Sequence, residues 1–159
     1  MKKLPLILTM LASVLLTSCL TSKDEKEYKL SFHEYSKSYK KGYIKIEYRP
    51  DEYVYVNSKP AITDAFFSTA KVYEVDGNLG MQVQLTNHGT HIWMQRTSVM
   101  KRGEQIVILL DGKYRNYIVV NGMNTMGKID IPPLALKNKE VHAVLKRGKE
   151  NFNQNFMKY

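Results

Sequence analysis

The chain has 159 residues, room for one domain and hardly two. Hydrophobic residues make up 43% and charged residues 25%, the balance of a folded domain, which excludes wholesale disorder. A single cysteine excludes an internal disulfide framework and a Cys-rich zinc site, and 24 Lys and Arg against 15 Asp and Glu give a net charge of +9.

From the N-terminus, Met1-Lys2-Lys3 leads into an uncharged run from Leu4 to Leu16. As a helix at ~1.5 Å per residue the run reaches roughly 20 Å. That is short of the ~30 Å hydrocarbon core of a bilayer. A basic start, a short apolar run and small polar residues read as a secretory signal peptide over residues 1–18. The run ends Leu16-Thr17-Ser18-Cys19, which resembles a bacterial lipobox. The resemblance implies that Cys19 is lipidated and becomes the first residue, anchored in a bacterial membrane outside the cytoplasm. Several acyl chains anchor firmly where one is marginal. Leu20 rather than Asp after the cysteine is similar to the pattern for outer-membrane sorting in diderm bacteria. Without residues 1–18, which hold two lysines and no acid, the net charge is +7. At that address positive charge points to lipid head groups, anionic cell-wall polymers or acidic proteins, and nucleic acid is not an expected partner.

Thr21 to Glu27 is polar and charged, the start of a tether. Tyr28 to Tyr48 interleaves five tyrosines with lysines, as half-buried strand, linker or a surface-binding stretch. Residues 19–50 are therefore set apart as a lipid-anchored, Tyr/Lys-rich segment. Tyr53-Val54-Tyr55-Val56 predicts a strand, Asn57 to Pro60 a turn, and Ile62 to Phe67 is ambiguous. Phe66–Val75 and Leu79–Leu85 predict a hairpin around Asp76-Gly77-Asn78. In its second strand Leu79, Met81, Val83 and Leu85 share one face, the period of a sheet buried on one side. Thr86-Asn87 caps a predicted helix reaching Met100, with Ile92, Val99 and Met100 near helical spacing and Gly103 just past its end. Glu104–Leu110 and Tyr114–Val120 predict a second hairpin around Asp111-Gly112. After a Gly/Asn/Met loop from Asn121 to Gly127, Lys128–Ile131 is short and strand-like. Pro132-Pro133 ends it, and Leu134–Lys146 predicts a second helix. Residues 149–159 read as a polar tail. The order predicts an α+β fold, an antiparallel or mixed sheet with two helices packed on one face.

In this order the residues from about Tyr53 to Gly148 resemble the periplasmic head subdomain of SecD, part of the SecDF protein-export accessory. Tyr53–Val56 with Pro60 and Ile62-Thr63 look like its opening strand and the step before its first helix. Val83-Gln84-Leu85-Thr86 and Gly89 look like its strand-to-helix junction. Thr97, Arg102-Gly103 and Ile106 to Lys113 (IVILLDGK) look like its central core, Gly127-Lys128-Ile129 like its later strand, and Glu140 to Gly148 like its closing helix. The resemblance implies a SecD-head-like sandwich over residues 51–148 and contact with exported polypeptide or translocation machinery. The chain departs from the family where Asn116 to Val119 replaces an Ala-Pro step, and in its shortened Gly-rich loop. It also lacks, after residue 18, the apolar helices through which SecD couples proton flow to pulling. The expectation is therefore a head without a motor.

Chemistry-bearing patterns are sparse. His88 and His91 share a helix face at a spacing that suits zinc, with Asp76 and Glu104 the nearest acids in sequence. No nucleophile elbow and no phosphate-cradling glycine loop is present. The expectation is a binding protein rather than an enzyme, with no cofactor and no metal. Trp93 is read as core, or alternatively as an apolar contact beside Met94. Met123 and Met126, adaptable side chains on a loop, are candidate contacts for varied polypeptide. The alternative function is an envelope lipoprotein that reuses the fold for an unrelated partner, anionic polymer or lipid.

Overall fold

The computed structural model describes residues 29–152, with side chains as far as residue 146. The signal peptide, Cys19 and the tether residues before Lys29 lie outside the described residues, as does the tail after residue 152. The strands are β1 (Leu30–Ser36), β2 (Tyr43–Arg49), β3 (Glu52–Asn57), β4 (Ile62–Thr63), β5 (Phe67–Val75), β6 (Asn78–Leu85), β7 (Gln105–Leu110), β8 (Lys113–Val119) and β9 (Lys128–Ile131). Helix α1 (Asn87–Val99) separates β6 from β7, and α2 (Asn138–Phe152) follows β9. A 3-10 turn at Asp64–Phe66 joins β4 to β5.

The fold is α+β, as the element order predicts, and the strands divide into two sheets. One runs β2-β3-β1-β7-β8, with β4 paired to β1, and the other runs β5-β6-β9. Every pairing is antiparallel. Both Asp-Gly hairpins form, with φ of +49° and +75° at Asp76-Gly77 and +52° and +72° at Asp111-Gly112. Two consecutive left-handed residues match the twist of the flanking strands, and Asp and Gly tolerate that region at little cost.

One core gathers both sheets and both helices. Phe32, Ile106 and Ile108 come from the first sheet and Met81, Val83, Ile129 and Ile131 from the second. Trp93 of α1 and Val141, Val144 and Leu145 of α2 cover them. Each such side chain contributes about 1.5–3 kcal/mol on burial. Strand β7 is nearly all apolar because it is buried on both faces. Its Val107 and Leu109 point away from the main core into a smaller cluster with Val56, flanked by Tyr35, Ile46, Val54 and Tyr114. The β2–β3 hairpin folds over this back face until β2 lies against β8.

Three expectations are corrected. Residues 30–49 are not set apart from the domain. β1 pairs β7 from Leu30↔Leu110 to Glu34↔Ile106, so the folded body begins at Leu30 rather than at residue 51. Polar residues disguise that strand: His33 is buried, its ring bonded to Asn57 O (2.7 Å) and Ser31 Oγ (2.9 Å). On the hairpin the Tyr/Lys alternation is partly used internally, with Lys45 Nζ 3.6 Å from the centre of the Tyr53 ring. Helix α1 buries Gly89, Trp93 and Thr97 rather than Val99, which is exposed. Gly89 permits this packing, since a Cβ there would collide with Phe66 Cβ. The third correction concerns α2, which runs from Asn138 to Phe152 rather than from Leu134 to Lys146 and so continues into the stretch read as a tail. Ala135 N donates to Pro132 O (3.1 Å), closing a turn with Pro133 at its second position. Leu134 stands third at φ +71°, the place a type II turn gives to glycine.

Candidate functional site

Strand β8 has a neighbour only in β7, and β9 only in β6. Between these two unpaired edges lies a cavity of about 760 Å³, lined by Tyr117–Val119 of β8, the connecting loop from Val120, and Lys128–Asp130 of β9. Trp93 and Thr97 of α1 form its depth. An unpaired edge exposes backbone donors and acceptors that recruit another strand unless something occupies them. On β8 the Tyr117 N–H donates to the neighbouring Asn116 Oδ1 at 2.8 Å, a side chain standing in for a missing strand.

The loop is fixed from three directions. Asn124 N donates to Thr97 Oγ1 (2.9 Å) and Asn124 Nδ2 to Lys128 O (2.8 Å), while Gly127 N donates to Asn124 Oδ1 (3.0 Å). Gln84 Nε2 of β6 donates to Met126 O (2.8 Å), and Leu85 N to Gly127 O (2.8 Å). On this pinned backbone Met123 and Met126 are 58% and 67% exposed. Flexible thioethers on a rigid frame suit contact with variable apolar side chains.

Trp93 is 2% exposed and meets Phe32 edge-on, with ring centroids 6.2 Å apart. Its Nε1–H is buried without a hydrogen-bond partner. Leaving such a donor unmade costs about 1–3 kcal/mol.

The structure thus brings three sequence candidates, Trp93, Met123 and Met126, to one cavity. Trp93 combines the two roles weighed for it, since its ring packs in the core and also lines the site. His88 and His91 lie exposed on α1, with the His88 ring 5.7 Å from that of Phe66. Among the described residues no three His, Cys, Asp or Glu gather as a metal site. Sequence reasoning missed Tyr117, Thr97 and Asn124. Asn124 carried a weak signal as a turn-former inside a Gly/Asn loop, whereas the other two depend on which strand edge stays open.

Comparison with known proteins bears on the fold. No family model and no curated protein matches the chain. Among solved structures it is similar to SecDF in a super-membrane-facing form, at a TM-score of 0.55 and 16% identity, over 74% of this chain and 18% of that one. It is also similar to a SecDF membrane component described as enhancing protein export, at 0.55 and 15%, over 91% of this chain and 68% of that one. SecDF from Thermus thermophilus, described as a translocon-associated membrane protein, matches at 0.46 and 17%, over 78% of this chain and 20% of that one. The first two define the class: an α+β domain with a SecD-head-like fold. The chain spans about a fifth of the first SecDF chain. Among the described residues no helix is long and apolar enough to cross a membrane.

Proposed function

We propose that this protein is a lipid-anchored, extracytoplasmic binding domain of the bacterial envelope that holds exported polypeptide in extended form between β8 and β9. The observation that carries the reading is the cavity itself. Two strand edges without partners line it, the Trp93 side chain closes its depth, and two exposed methionines stand on its pinned rim. Main-chain pairing along such an edge binds any sequence, and adaptable side chains tolerate what the backbone carries past. Binding rather than catalysis is the work of the site, and Cys19 supplies the membrane anchor through its acyl chains. The SecD-like fold supports a setting beside the translocation machinery, since the similar SecDF component is described as enhancing protein export.

The test is in-cell cross-linking from photo-reactive residues placed at Met123 and Met126, with mass spectrometry of what is captured. Assorted exported proteins or translocon subunits support the reading. A single unrelated envelope partner, or cell-wall and lipid material alone, overturns it. Loss of membrane association on Cys19→Ser tests the anchor separately.

A further inference from the structure

A second cavity, of about 500 Å³, lies along β8 from the first, and Tyr117 lines both. The chain after β9 also links them, with Pro132 on the first and Leu134 and Ala135 on the second. The character of the second cavity is different. Arg49, Arg115 and Lys137 line it against one carboxylate, Glu140. Tyr48 and Tyr114 form its wall, with ring centroids 5.5 Å apart and the Arg49 guanidinium 5.8 Å from the Tyr48 ring.

Glu140 does not neutralise this group. Its Oε1 accepts from Arg115 Nη2 at 2.8 Å and its Oε2 from Lys137 N at 2.9 Å, so both oxygens are engaged. Arg115 Nε is buried and has no partner, although a guanidinium offers five donors in a fixed fork. The remaining acid nearby, Glu52, accepts the Tyr48 hydroxyl, which raises that hydroxyl's pKa. Burial raises the pKa of Tyr114, so its hydroxyl stays a neutral donor. Two cations outside the Arg115–Glu140 pair, Arg49 and Lys137, and the Tyr114 hydroxyl beside them describe a receptor for an anion.

We infer that this cavity is an acidic subsite of the β8 edge, which receives a carboxylate carried by the extended polypeptide held in the neighbouring cavity. The inference rests on the polypeptide reading above and adds a preference to it. Continuity along one strand favours a carboxylate on a peptide over a free phosphate polymer. A chain lying on β8 past Tyr117 reaches Arg115 within two residues, about 7 Å. The wall also fits: Leu134 is 73% exposed at the mouth, an apolar surface for the peptide's aliphatic stems.

The test uses two labelled ten-residue peptides of alternating Val and Thr, identical except for one internal Glu or Gln, both amidated at the C-terminus. The protein is the chain from residue 19 on with Cys19→Ser, which retains every described residue. Fluorescence anisotropy is expected to show the Glu peptide bound at least fivefold more tightly. Arg49→Gln and Lys137→Gln, which leave the Arg115–Glu140 pair intact, are expected to erase that preference and leave the Gln peptide's affinity unchanged. Arg115→Gln is the stronger variant, used with a check of thermal unfolding because it strands Glu140. Equal affinity for the two peptides in the unsubstituted protein overturns the acidic subsite and leaves the polypeptide reading standing. Binding of neither peptide, with a glycerol-phosphate oligomer bound instead and lost in Arg49→Gln, overturns both.

Discussion

Two cavities flank Tyr117, and they differ in chemistry. The first, between β8 and β9, has Met123 and Met126 at its rim and an indole in its depth, and it offers shape and backbone. The second is walled by tyrosine and lined by three cations, and it offers charge. Generic capture uses main-chain pairing, which every polypeptide can make, whereas a charged subsite discriminates among what is captured. Placing the two on a single strand lets one partner meet both, so substitutions in one should change overall affinity and those in the other only preference.

The largest effect is expected at Trp93, which belongs to the main core and to the first cavity together. Trp93→Ala is expected to cost about 3–5 kcal/mol, measured by denaturant unfolding. Trp93→Phe separates the two roles. It retains an aromatic ring against Phe32, costs less than about 1.5 kcal/mol, and removes the unpartnered N–H. Peptide binding should then weaken equally for the Glu and Gln peptides. Unchanged binding would mean that the indole N–H serves no ligand.

Much of the frame was legible because its signals are local. The Asp76-Gly77 and Asp111-Gly112 hairpins, the period-two face of β6 and the apolar run of β7 each follow from a few adjacent residues. The loop that exposes Met123 and Met126 was legible for the same reason. What escaped is tertiary. The alternation of Leu30 and Phe32 marked a strand, but its place beside β7 depends on residues more than seventy positions away. The start of α2 escaped because Glu140 bonds back to Lys137 N, where no Ser or Thr announces a capping box. The cationic cavity escaped altogether, since Arg49, Arg115 and Lys137 meet only when β2 folds against β8.

A sharper separation comes from Gly127, which closes the loop of the first cavity at φ +62°. A Cβ there would overlap the Thr90 side chain on α1. Gly127→Ala is expected to cost about 2 kcal/mol, from the left-handed backbone and the displaced α1 contact together. The displaced loop should lower affinity for both peptides severalfold while the ratio between them stays fixed. A change in that ratio would show that the two cavities are not separable.

The smallest effect is expected at Leu134, and its sign makes it informative. A leucine at φ +71° is a strained choice, because its Cβ crowds the following carbonyl. Glycine would relieve that strain, partly offset by the greater freedom it gives the unfolded chain. Leu134→Gly is therefore expected to raise stability by about 0.5 kcal/mol, read as a small rise in the denaturation midpoint. The same change strips the exposed apolar surface from the mouth of the cationic cavity. Binding of both peptides should fall about twofold, with the preference for Glu intact because no cation has moved. A variant that folds better and binds worse would show that the strain at Leu134 is retained for contact with a partner. Improved stability with unchanged binding would return Leu134 to the turn alone and leave the subsite defined by its cations.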